Sequence, residues 1–588
     1  MFLGLSIYAW IVLLCLAGKA VAMATGKVSG DMISLAIIII LLVTGALPSE
    51  EALSCFSSPL VVLIGVLCVI VAGLVHTGVV RWITDNMLGT PKTLRGALIR
   101  LMFPVAILSA FLDNNTVAAM FVNVVKQWCK KINIKPSKLI LPVSYAAGFG
   151  AVCTIIGASS NLLIAQFYKD IINSQMPFFA PAIPGIACFV VGVILIIAMR
   201  KYLPDRKTPE DSFESSSNYT VELLVPSECE SIGMTVQEAG LLNVVGGHLI
   251  EIVRFDREIT SPVPPDEFIL GGDHLVYSGN IQDLLTLKDT HGLVNATHHV
   301  FHIDELDKNR QLQMATISMD SPLAGDTMQD SDFEAENNVV LVAVARQGEN
   351  IKGIPREVRL RAGDTLLFEG QKLKPSHFTG NLDFFDNIAL PQINSKTAIS
   401  SAIVIAMVLL SAFNVLPLLN SCMLAAAAMA ITRCCSLKQI QSAINWKTVM
   451  VFAGAVCLGK GIEHTGLAMM VGTFVQEISG TNSLLALILL SIVATICTQF
   501  ISNTTTAAVF IPIALKTAIT LGANPMAFAV SLLITVSSSF STPFSSETNT
   551  LVYGPGGYKF IDYVRLGVPM NIVILIVNIL MVSIVYPL

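Results

Sequence analysis

Long apolar runs separated by short polar segments recur at both ends of this chain. The clearest runs cover residues 33–47, 60–75, 189–199, 402–419 and 573–585. They meet or approach the roughly 20 residues that an α-helix needs to cross a bilayer. The pattern therefore predicts a polytopic α-helical membrane protein. Only the middle of the chain, residues 205–388, shows the alternation of apolar and polar positions that is typical of strands.

Composition supports the membrane interpretation. Of the 588 residues, 53% are hydrophobic and 13% are charged, whereas a soluble domain carries about 25% charged residues. This balance excludes a soluble enzyme, a nucleic-acid-binding protein and a secreted disulfide scaffold as the main interpretation. The 12 cysteines include no CxxC pair, so neither a disulfide framework nor a zinc site is expected. Since no basic segment precedes the first apolar run, we expect a first transmembrane helix there, not a cleaved signal.

Charge divides the chain into three parts. Residues 210–386 contain 30 acidic and 12 basic residues, while the rest of the chain contains 11 acidic and 24 basic residues. The middle is therefore predicted to be an acidic soluble insert, and the flanks to be membrane halves with basic loops.

The two membrane halves, 1–204 and 389–588, share three short matches, and the members of each pair are 388 positions apart. Such a fixed spacing predicts an internal duplication. In the first match, His76 and His464 are expected to pack or cap helix ends, with proton sensing as the alternative. The matched segments are Gly73-Leu74-Val75-His76-Thr77-Gly78 with Gly461-Ile462-Glu463-His464-Thr465-Gly466, Asn115-Thr116 with Asn503-Thr504, and Thr154…Asn161 with Thr542…Asn549.

The distribution of Lys and Arg predicts the topology. Basic clusters at 81–100, 126–138 and 200–207 are expected in the cytoplasm under the positive-inside rule. The segment 101–125 must then enter and leave on one side, as a re-entrant hairpin. Five crossings remain in the first half, and an odd number inverts the second copy. We therefore predict two inverted repeats with ten spans and two opposed hairpins, a cytoplasmic insert and both termini outside.

Polar residues interrupt each half at a hairpin tip and again in the following span. The tips contain Asp113-Asn114-Asn115-Thr116 and Ser502-Asn503-Thr504-Thr505-Thr506. Gly157 and Pro543 mark the broken helices. Polar side chains are costly in hydrocarbon unless they line a cavity or bind something. Inverted repeats with broken elements are a transporter architecture whose site lies near the midplane.

The residue types suit two kinds of ligand. Helix N-termini favour an anion, and neutral hydroxyl, amide and carbonyl oxygens favour Na⁺. Thr498 lies one turn before Ser502 and is predicted to add a hydroxyl to the second cation site. Its counterpart at the spacing of 388 is Ala110, with Ser109 beside it, so the two cation sites are not expected to be identical.

The tips resemble those of the divalent anion:sodium symporter family. Ser502-Asn503-Thr504 is similar to its Ser-Asn-Thr signature, and Asn114-Asn115-Thr116 is similar to the first-copy variant. The stretch from Gly554 to Pro569, which includes Gly-Pro-Gly-Gly-Tyr-Lys-Phe, resembles the sulfate-transporter-like branch of algae and bacteria. The resemblance implies a homodimer that works as an elevator, taking up a divalent anion, sulfate in particular, with Na⁺ and without another cofactor.

Residue assignments follow from that resemblance. The sodium ligands are expected among Ser109, Asn115, Gly157, Thr498, Asn503 and Ser545. Asn161, Asn549, Asp113 and Glu547 are further candidates. The anion ligands are expected among Asn114, Asn115, Thr116, Thr154, Ser502, Asn503, Thr504, Thr542 and Pro543.

Departures from the family pattern keep the substrate open. Phe544-Ser545 stands where the family has a small residue and then glycine. Asp113 and Glu547 place carboxylates near the expected site, although Asp113 also suits a turn. A like charge at 4 Å costs a bound anion about 4 kcal/mol at an effective dielectric constant near 20. A dicarboxylate or another oxyanion, and coupling to protons, therefore remain alternatives.

The insert is predicted to contain two related modules, 205–300 and 301–388. In each, an apolar strand ends in Arg and a Gly-Asp pair leads a later strand. These modules resemble the C-terminal ligand-binding module of potassium-conductance regulators (RCK-C), which implies dimerisation and a small-molecule effector. A purely structural role is the alternative. The linker has a weak metal-like cluster: His298, His299, His302 and Asp304.

Other classes of function are less well supported. A channel gated by the insert would place selectivity on a symmetric pore, and a receptor would bind ligand without flux. An efflux pump would differ in direction and in sodium dependence. No nucleophile–base pair or phosphate loop indicates an enzyme. We expect a multi-pass protein of the inner (plasma) membrane.

Overall fold

The computed structural model divides the chain into two compact units. Met1–Pro204, Ile388–Val552 and Lys559–Leu588 form the helical unit, while Asp205–Asn387 and Tyr553–Tyr558 form the strand-rich unit. The structure describes all residues except 1–5, 26–29, 207–219, 245–246, 255–258, 261–262, 280–292, 296–309, 318–320, 322, 332, 338, 347–348, 352–354, 372–381, 385–392, 394, 445 and 544. The histidines of the predicted metal-like cluster, and Phe544, lie outside the described residues.

Among the described residues of the first half of the helical unit, ten helices are followed by a 3₁₀ turn, Met199–Tyr202. The helices are α1 (Ile7–Thr25), α2 (Gly30–Val43), α3 (Ser49–Ser54), α4 (Pro59–His76), α5 (Val79–Met87), α6 (Leu94–Ser109), α7 (Asn114–Ile132), α8 (Ser137–Ala151), α9 (Ser159–Ile172) and α10 (Ala182–Ala198).

Ten helices also lie in the part of the second half that the structure describes. They are α11 (Thr397–Ala412), α12 (Leu418–Ile431), α13 (Leu437–Ala443), α14 (Trp446–His464), α15 (Leu467–Ser479), α16 (Ser483–Cys497), α17 (Asn503–Thr520), α18 (Pro525–Ser537), α19 (Glu547–Tyr553) and α20 (Phe560–Val585). Each helix of the first half thus has a counterpart ten places later.

The two halves pack against each other in equivalent pairs. Helix α2 packs on α14, α12 packs on α4 in the same way, and α10 packs on α20. The glycines that begin α5 and α15, Gly78 and Gly466, both have positive φ, +81° and +74°, which glycine adopts without steric cost. The helices of the two halves therefore follow the same order and pack in equivalent pairs.

The spacing between equivalent positions is not constant, which corrects the single spacing of 388. It is 388 at Gly78 and Gly466, but the side chains that cap α6 and α16 belong to Thr93 and Asn482, a spacing of 389. The one-residue shift persists through the hairpin tips. A short Asn-Thr match cannot detect such a shift, whereas helix caps can.

Several helices are shorter than a bilayer is thick. Among the described residues, three stretches are long and apolar enough to cross a membrane, Ser49–His76, Ala182–Tyr202 and Phe560–Val585, and seven apolar helices have 10–17 residues. The crossing predicted over 139–168 is divided into α8 and α9. Residues 152–158 between them are not helical, as the polar segment there predicted.

The described residues of the strand-rich unit form two antiparallel sheets of related topology. The first has the order β2-β3-β5-β1-β6 with β4 beside β3, and the second has the order β11-β7-β10-β8-β9. The strands are β1 (Thr220–Leu224), β2 (Asn243–Val244), β3 (Gly247–Val253), β4 (Ile259–Thr260), β5 (His274–Gly279), β6 (Val294–Asn295), β7 (Arg310–Ile317), β8 (Val339–Arg346), β9 (Glu349–Asn350), β10 (Thr365–Gln371) and β11 (Leu382–Phe384). The order β3-β5-β1 in one sheet matches β8-β10-β7 in the other.

The Arg and Gly-Asp signals noted in the sequence pair with each other in both sheets. The Arg254 Nε atom lies 3.5 Å from Oδ1 of Asp273, and Nη2 of Arg346 lies 2.6 Å from Oδ2 of Asp364. Each aspartate also accepts a backbone N–H bond from the residue three positions earlier, at 2.9 and 2.8 Å. The two modules are therefore built around the same charged turn.

A buried histidine makes the first sheet sensitive to acid. His248 on β3 is fully buried, and no described residue bonds to either ring nitrogen. Burial, with a smaller contribution from the positive charge of Arg356, lowers the pKa of His248 to about 3. The unfolded chain binds a proton at an ordinary histidine pKa, so stability is complete above that value and is lost as the pH falls towards 3.

We expect the strand-rich unit to lose about 1.4 kcal/mol of stability for each pH unit below 6.5. Pulse proteolysis of the full-length protein between pH 7.5 and 5 would measure this as increased cleavage within 205–387. His248→Leu should flatten the dependence, while His274→Leu, on the partly exposed end of β5, should retain it. Equal acid sensitivity of the His248→Leu and wild-type proteins would contradict the assignment.

Candidate functional site

Each hairpin tip is a short turn that ends in a side-chain cap. The carboxylate of Asp113 accepts the backbone N–H groups of Asn115 and Thr116 at 3.1 and 3.4 Å. The hydroxyl of Ser502 accepts the N–H of Thr505 at 3.4 Å. Caps of this kind satisfy the free N–H groups at a helix start. Asp113 therefore has the turn role that the sequence offered as one of its two interpretations.

The positions of the two caps show which residues of the first tip correspond to which residues of the second tip. Since Asp113 occupies the position of Ser502, Asn114 corresponds to Asn503 and Asn115 to Thr504. The residues at the ends of α6 and α16 show the same correspondence. Ser109 donates to the carbonyl of Ala147 at 2.7 Å, and Thr498 donates to that of Val536 at 3.0 Å. Ser109, not Ala110, is thus the counterpart of Thr498. The pairing of Asn115 with Asn503 predicted from the sequence is wrong by one residue.

Both broken helices are held by one asparagine each. The amide nitrogen of Asn161 donates to the carbonyls of Ala151 and Thr154 at 2.8 and 3.0 Å. That of Asn549 donates to the carbonyls of Ser539 and Thr542 at 2.7 and 3.0 Å. Unwound backbone in an apolar setting needs such partners. These two amides therefore support the break, a role different from the ligand role for which they were candidates.

The amide oxygens of the same asparagines join the two halves. Ser537 of α18 donates to Oδ1 of Asn161 at 3.3 Å, and Ser144 of α8 donates to Oδ1 of Asn549 at 2.6 Å. Each half thus completes the break of the other. Ser144 and Ser537 were missed in the sequence. Ser144 is an isolated serine within an apolar helix, and Ser537 begins the run Ser537-Ser538-Ser539 at the end of α18, which is the one local signal for it.

Oxygen atoms crowd around Asn503 in the second half. One end of its amide lies 2.9 Å from Oγ1 of Thr498 and 3.2 Å from Oγ of Ser539. The same end lies 3.2 Å from the carbonyl oxygen of Val536 and 3.3 Å from that of Ser545. The nitrogen can donate there, or the oxygen can join a set of five oxygens, because an amide is oriented by its partners.

The other candidate residues in the two nonhelical segments lie in close contact with neighbouring backbone. The Thr154 hydroxyl donates to the carbonyl of Ala110, and the Thr542 hydroxyl donates to that of Gln499 at 2.9 Å. A Cβ added at Gly157 would lie 2.6 Å from the carbonyl oxygen of Ala151. At the equivalent place, the Ser545 hydroxyl donates to the Ser539 carbonyl at 3.0 Å. Pro543 supplies a carbonyl that accepts a bond from the hydroxyl of Thr550 at 2.8 Å.

The tips also offer accessible polar groups. Asn114, Asn115, Thr116, Ser502, Asn503 and Thr504 are all half-buried. Asn115 donates its amide N–H to the exposed carboxylate of Glu547, a bond between the first tip and the second broken helix. Elsewhere, His76 and His464 are exposed and end α4 and α14, which agrees with the helix-end role expected for them.

The asparagine contacts predict a stability effect at the second break. Asn549→Ala removes the amide donor from two buried carbonyls, those of Ser539 and Thr542, which then share the Ser545 hydroxyl as their donor. A buried group that loses its partner costs about 1–3 kcal/mol. We expect a lower melting temperature in detergent. Asn86→Ala removes an exposed amide that donates to the Trp82 carbonyl in its own helix, and this variant should melt like the wild-type protein. If both variants melt alike, Asn549 does not hold the break.

Comparisons with known proteins identify the family of the chain. The family model described as "Citrate transporter" (CitMHS) matches residues 20–533. The chain is 29% identical over 577 residues to the uncharacterized transporter sll0640 of Synechocystis, covering 95% of this chain and 94% of that protein.

Two algal relatives come from Chlamydomonas reinhardtii. A putative sulfur deprivation response regulator is 29% identical and covers 95% of this chain and 98% of its own length. Sodium/sulfate cotransporter 1 is 25% identical over 319 residues, which is 50% of this chain and 36% of that protein. The family match covers most of the chain. This chain therefore belongs to the citrate transporter family and is a multi-pass membrane transporter.

Proposed function

We propose that the protein takes up a divalent anion together with Na⁺, and that the oxygen cluster around Asn503 holds one sodium ion. The cluster is the observation that carries the proposal. When the Asn503 amide is turned so that its oxygen faces the cluster, the five oxygens come from the Thr498, Asn503 and Ser539 side chains and from the Val536 and Ser545 carbonyls. All are neutral, as a sodium site in a transporter requires, and no cysteine or histidine belongs to the cluster.

The spacing of the oxygens suits a hard cation. Oxygens that surround such an ion at about 2.4 Å are themselves about 3.4 Å apart. The four oxygens around the Asn503 amide lie 2.9–3.3 Å from it, so a modest expansion would admit the ion. Val536 and Ser539 also lie at the C-terminal end of α18, where the helix dipole favours positive charge.

The first half offers a similar but smaller set. Ser109, Asn114 and Gly157 correspond to Thr498, Asn503 and Ser545, and the Ala147 carbonyl corresponds to that of Val536. Ala151 stands where the second half has Ser539, so one hydroxyl is missing. We propose a second, weaker sodium site here, with Asn114 in the place that the sequence assigned to Asn115.

The anion is proposed to bind between the tips. The first turns of α7 and α17 expose N–H groups at the positive ends of two long helices. No described residue bonds to the side chains of Asn114, Thr116 or Thr504, which leaves them available as donors. Sulfate is favoured by the sodium/sulfate cotransporter relative, and a carboxylate substrate by the family description.

The remaining features of the mechanism belong to the same proposal. Inverted repeats, a homodimer and elevator motion of the site relative to a scaffold would allow alternating access. The insert would then lie in the cytoplasm, as two RCK-C-type modules. The equivalent packing of α2 on α14 and of α12 on α4 supports a two-fold relation between the halves.

Uptake of radiolabelled sulfate into proteoliposomes tests the proposal, with succinate as competitor and with or without an inward Na⁺ gradient. Asn503→Ala should abolish uptake. Thr498→Val removes one oxygen ligand, and because a bond to a charged group is worth about 1.5–3 kcal/mol, the Na⁺ concentration for half-maximal uptake should rise tenfold or more.

Thr520→Val is the matched control, because Thr520 bonds only to the Lys516 carbonyl of its own exposed turn. It should transport like the wild-type protein. Uptake that ignores the Na⁺ gradient, or an unchanged sodium response in Thr498→Val, would reject the sodium site. Inhibition by succinate would indicate a dicarboxylate substrate and would leave the proposed sodium site unaffected.

Coupling to protons is a second candidate, favoured by the bond between Asn115 and Glu547. A carboxylate that accepts this bond competes with the anion for the same donor, and its protonation would release the donor. If protons are coupled in this way, an inward proton gradient drives uptake by the wild-type protein but not by Glu547→Gln. Glu477→Gln, an exposed acid on α15, should retain the response. An equal response of all three proteins would exclude this role.

A further inference from the structure

The strand-rich unit includes a short segment from far along the chain. Tyr553–Tyr558, with the sequence Tyr-Gly-Pro-Gly-Gly-Tyr, belongs to this unit together with 205–387. The segment carries part of the resemblance noted in the sequence, yet the proposed transport mechanism gives it no role. The contacts of the segment within the strand-rich unit indicate a role for it.

The two charged turns of the modules differ in what covers them. Gly272 and Gly363 occupy equivalent positions, with φ of +92° and +86°. Their N–H groups donate to the carbonyls of Val225 and Ile317, each at 2.8 Å. A Cβ added at Gly272 would meet nothing within 4 Å, whereas a Cβ added at Gly363 would lie 2.6 Å from Cδ1 of Tyr553. Only the second turn is covered by the segment.

The contact includes backbone as well as the tyrosine ring. A Cβ added at Gly554 would lie 2.7 Å from the carbonyl oxygen of Gly363 and 2.8 Å from Cγ2 of Thr316. Any side chain at Gly554 would therefore push the segment away from β7 and the turn. Glycine fits at position 554 because the backbone of the segment and the backbone of the Gly363 turn approach each other so closely.

The segment is itself compact. The N–H of Gly557 donates to the carbonyl of Gly554 at 2.9 Å, and that of Tyr558 donates to the carbonyl of Tyr553 at 3.2 Å. Tyr558 is fully buried and Tyr553 is 7% exposed. A closed turn with two buried rings transmits displacement better than an open loop of the same length.

The chain continues from both ends of the segment into the candidate site without a linker. Tyr553 is the last residue of α19, which begins at Glu547 and contains Asn549. On the other side, α20 starts at Phe560, and its Tyr563 hydroxyl donates to the carbonyl of Asn549 at 2.8 Å. Movement of the segment must therefore move or strain α19.

We propose that the second module is a regulatory element of the transporter and that Tyr553–Tyr558 is the strap through which it restrains α19. While the strap is seated on the Gly363 turn, Glu547 and Asn549 are held in place. A change in the second module that opens the turn releases α19 and weakens anion binding. Among the described residues, none lies within 4 Å of a Cβ added at Gly272, so we expect no such connection from the turn of the first module. The transport part of this proposal rests on the proposed function, whereas the restraint of α19 does not.

Gly363→Ala and Gly272→Ala form a matched pair that tests the strap. Both place alanine at the same positive φ, so both strain the turn to the same degree, but only Gly363→Ala meets Tyr553. Hydrogen–deuterium exchange of the full-length protein should be about tenfold faster in peptides covering 547–552 for Gly363→Ala, since local opening follows lost contacts. Gly272→Ala should leave those peptides unchanged.

Tyr553→Ala provides a second variant that leaves the turn itself intact. It should also accelerate exchange in 547–552 and should raise the KM for sulfate at least threefold, with little change in kcat. Equal exchange in Gly363→Ala, Gly272→Ala and the wild-type protein would overturn the proposal. If the wild-type protein transports no sulfate, the proposed function fails, and the exchange comparison still decides whether the strap exists.

Discussion

The helical unit depends on satisfying backbone groups where its helices are interrupted. A membrane offers no water to an unwound carbonyl, so each break must carry its own donors. Asn161 and Asn549 do this with both hydrogens of their amides. Their oxygens then accept from Ser537 and Ser144 of the opposite half. The breaks are therefore stable only when the two halves are assembled, which ties local chain interruption to the global packing of the duplicated helices.

That arrangement frees other polar groups for binding. Because the asparagine amides and the Ser545 hydroxyl satisfy the broken backbone, the side-chain oxygens of Thr498, Asn503 and Ser539 and the Ser545 carbonyl need not do so. They can gather at the end of α18, where a cation is favoured by the carbonyls and by the helix dipole. Asp113 is similarly engaged in capping α7, so its charge is compensated by N–H groups near the expected anion. Glu547, by contrast, accepts a hydrogen bond from Asn115, so its carboxylate is in direct contact with the first tip.

The two halves of the helical unit are similar but not identical, and so are the two modules of the strand-rich unit. The helical halves share caps, breaks and cross-contacts, yet Ala151 replaces Ser539 and Gly157 replaces Ser545, so their oxygen sets differ. The two modules of the strand-rich unit share a charged turn, yet only Gly363 is covered by Tyr553. In both cases one copy has acquired a contact that the other lacks, and these differences are where the proposed functions lie.

The sequence by itself determined the class of protein and located the strand-rich middle of the chain and the two polar interruptions in each half, and it predicted a duplication. These follow from hydropathy, charge and residue spacing, which are local properties. Tertiary structure alone decided that Ser109 and Asn114 correspond to Thr498 and Asn503, because a one-residue shift is visible only in caps and long-range hydrogen bonds. It also decided that Ser144, Ser537 and Ser539 belong near the breaks and that a distant glycine-rich segment lies on the second module. Such contacts join residues tens to hundreds of positions apart, and no local pattern specifies them.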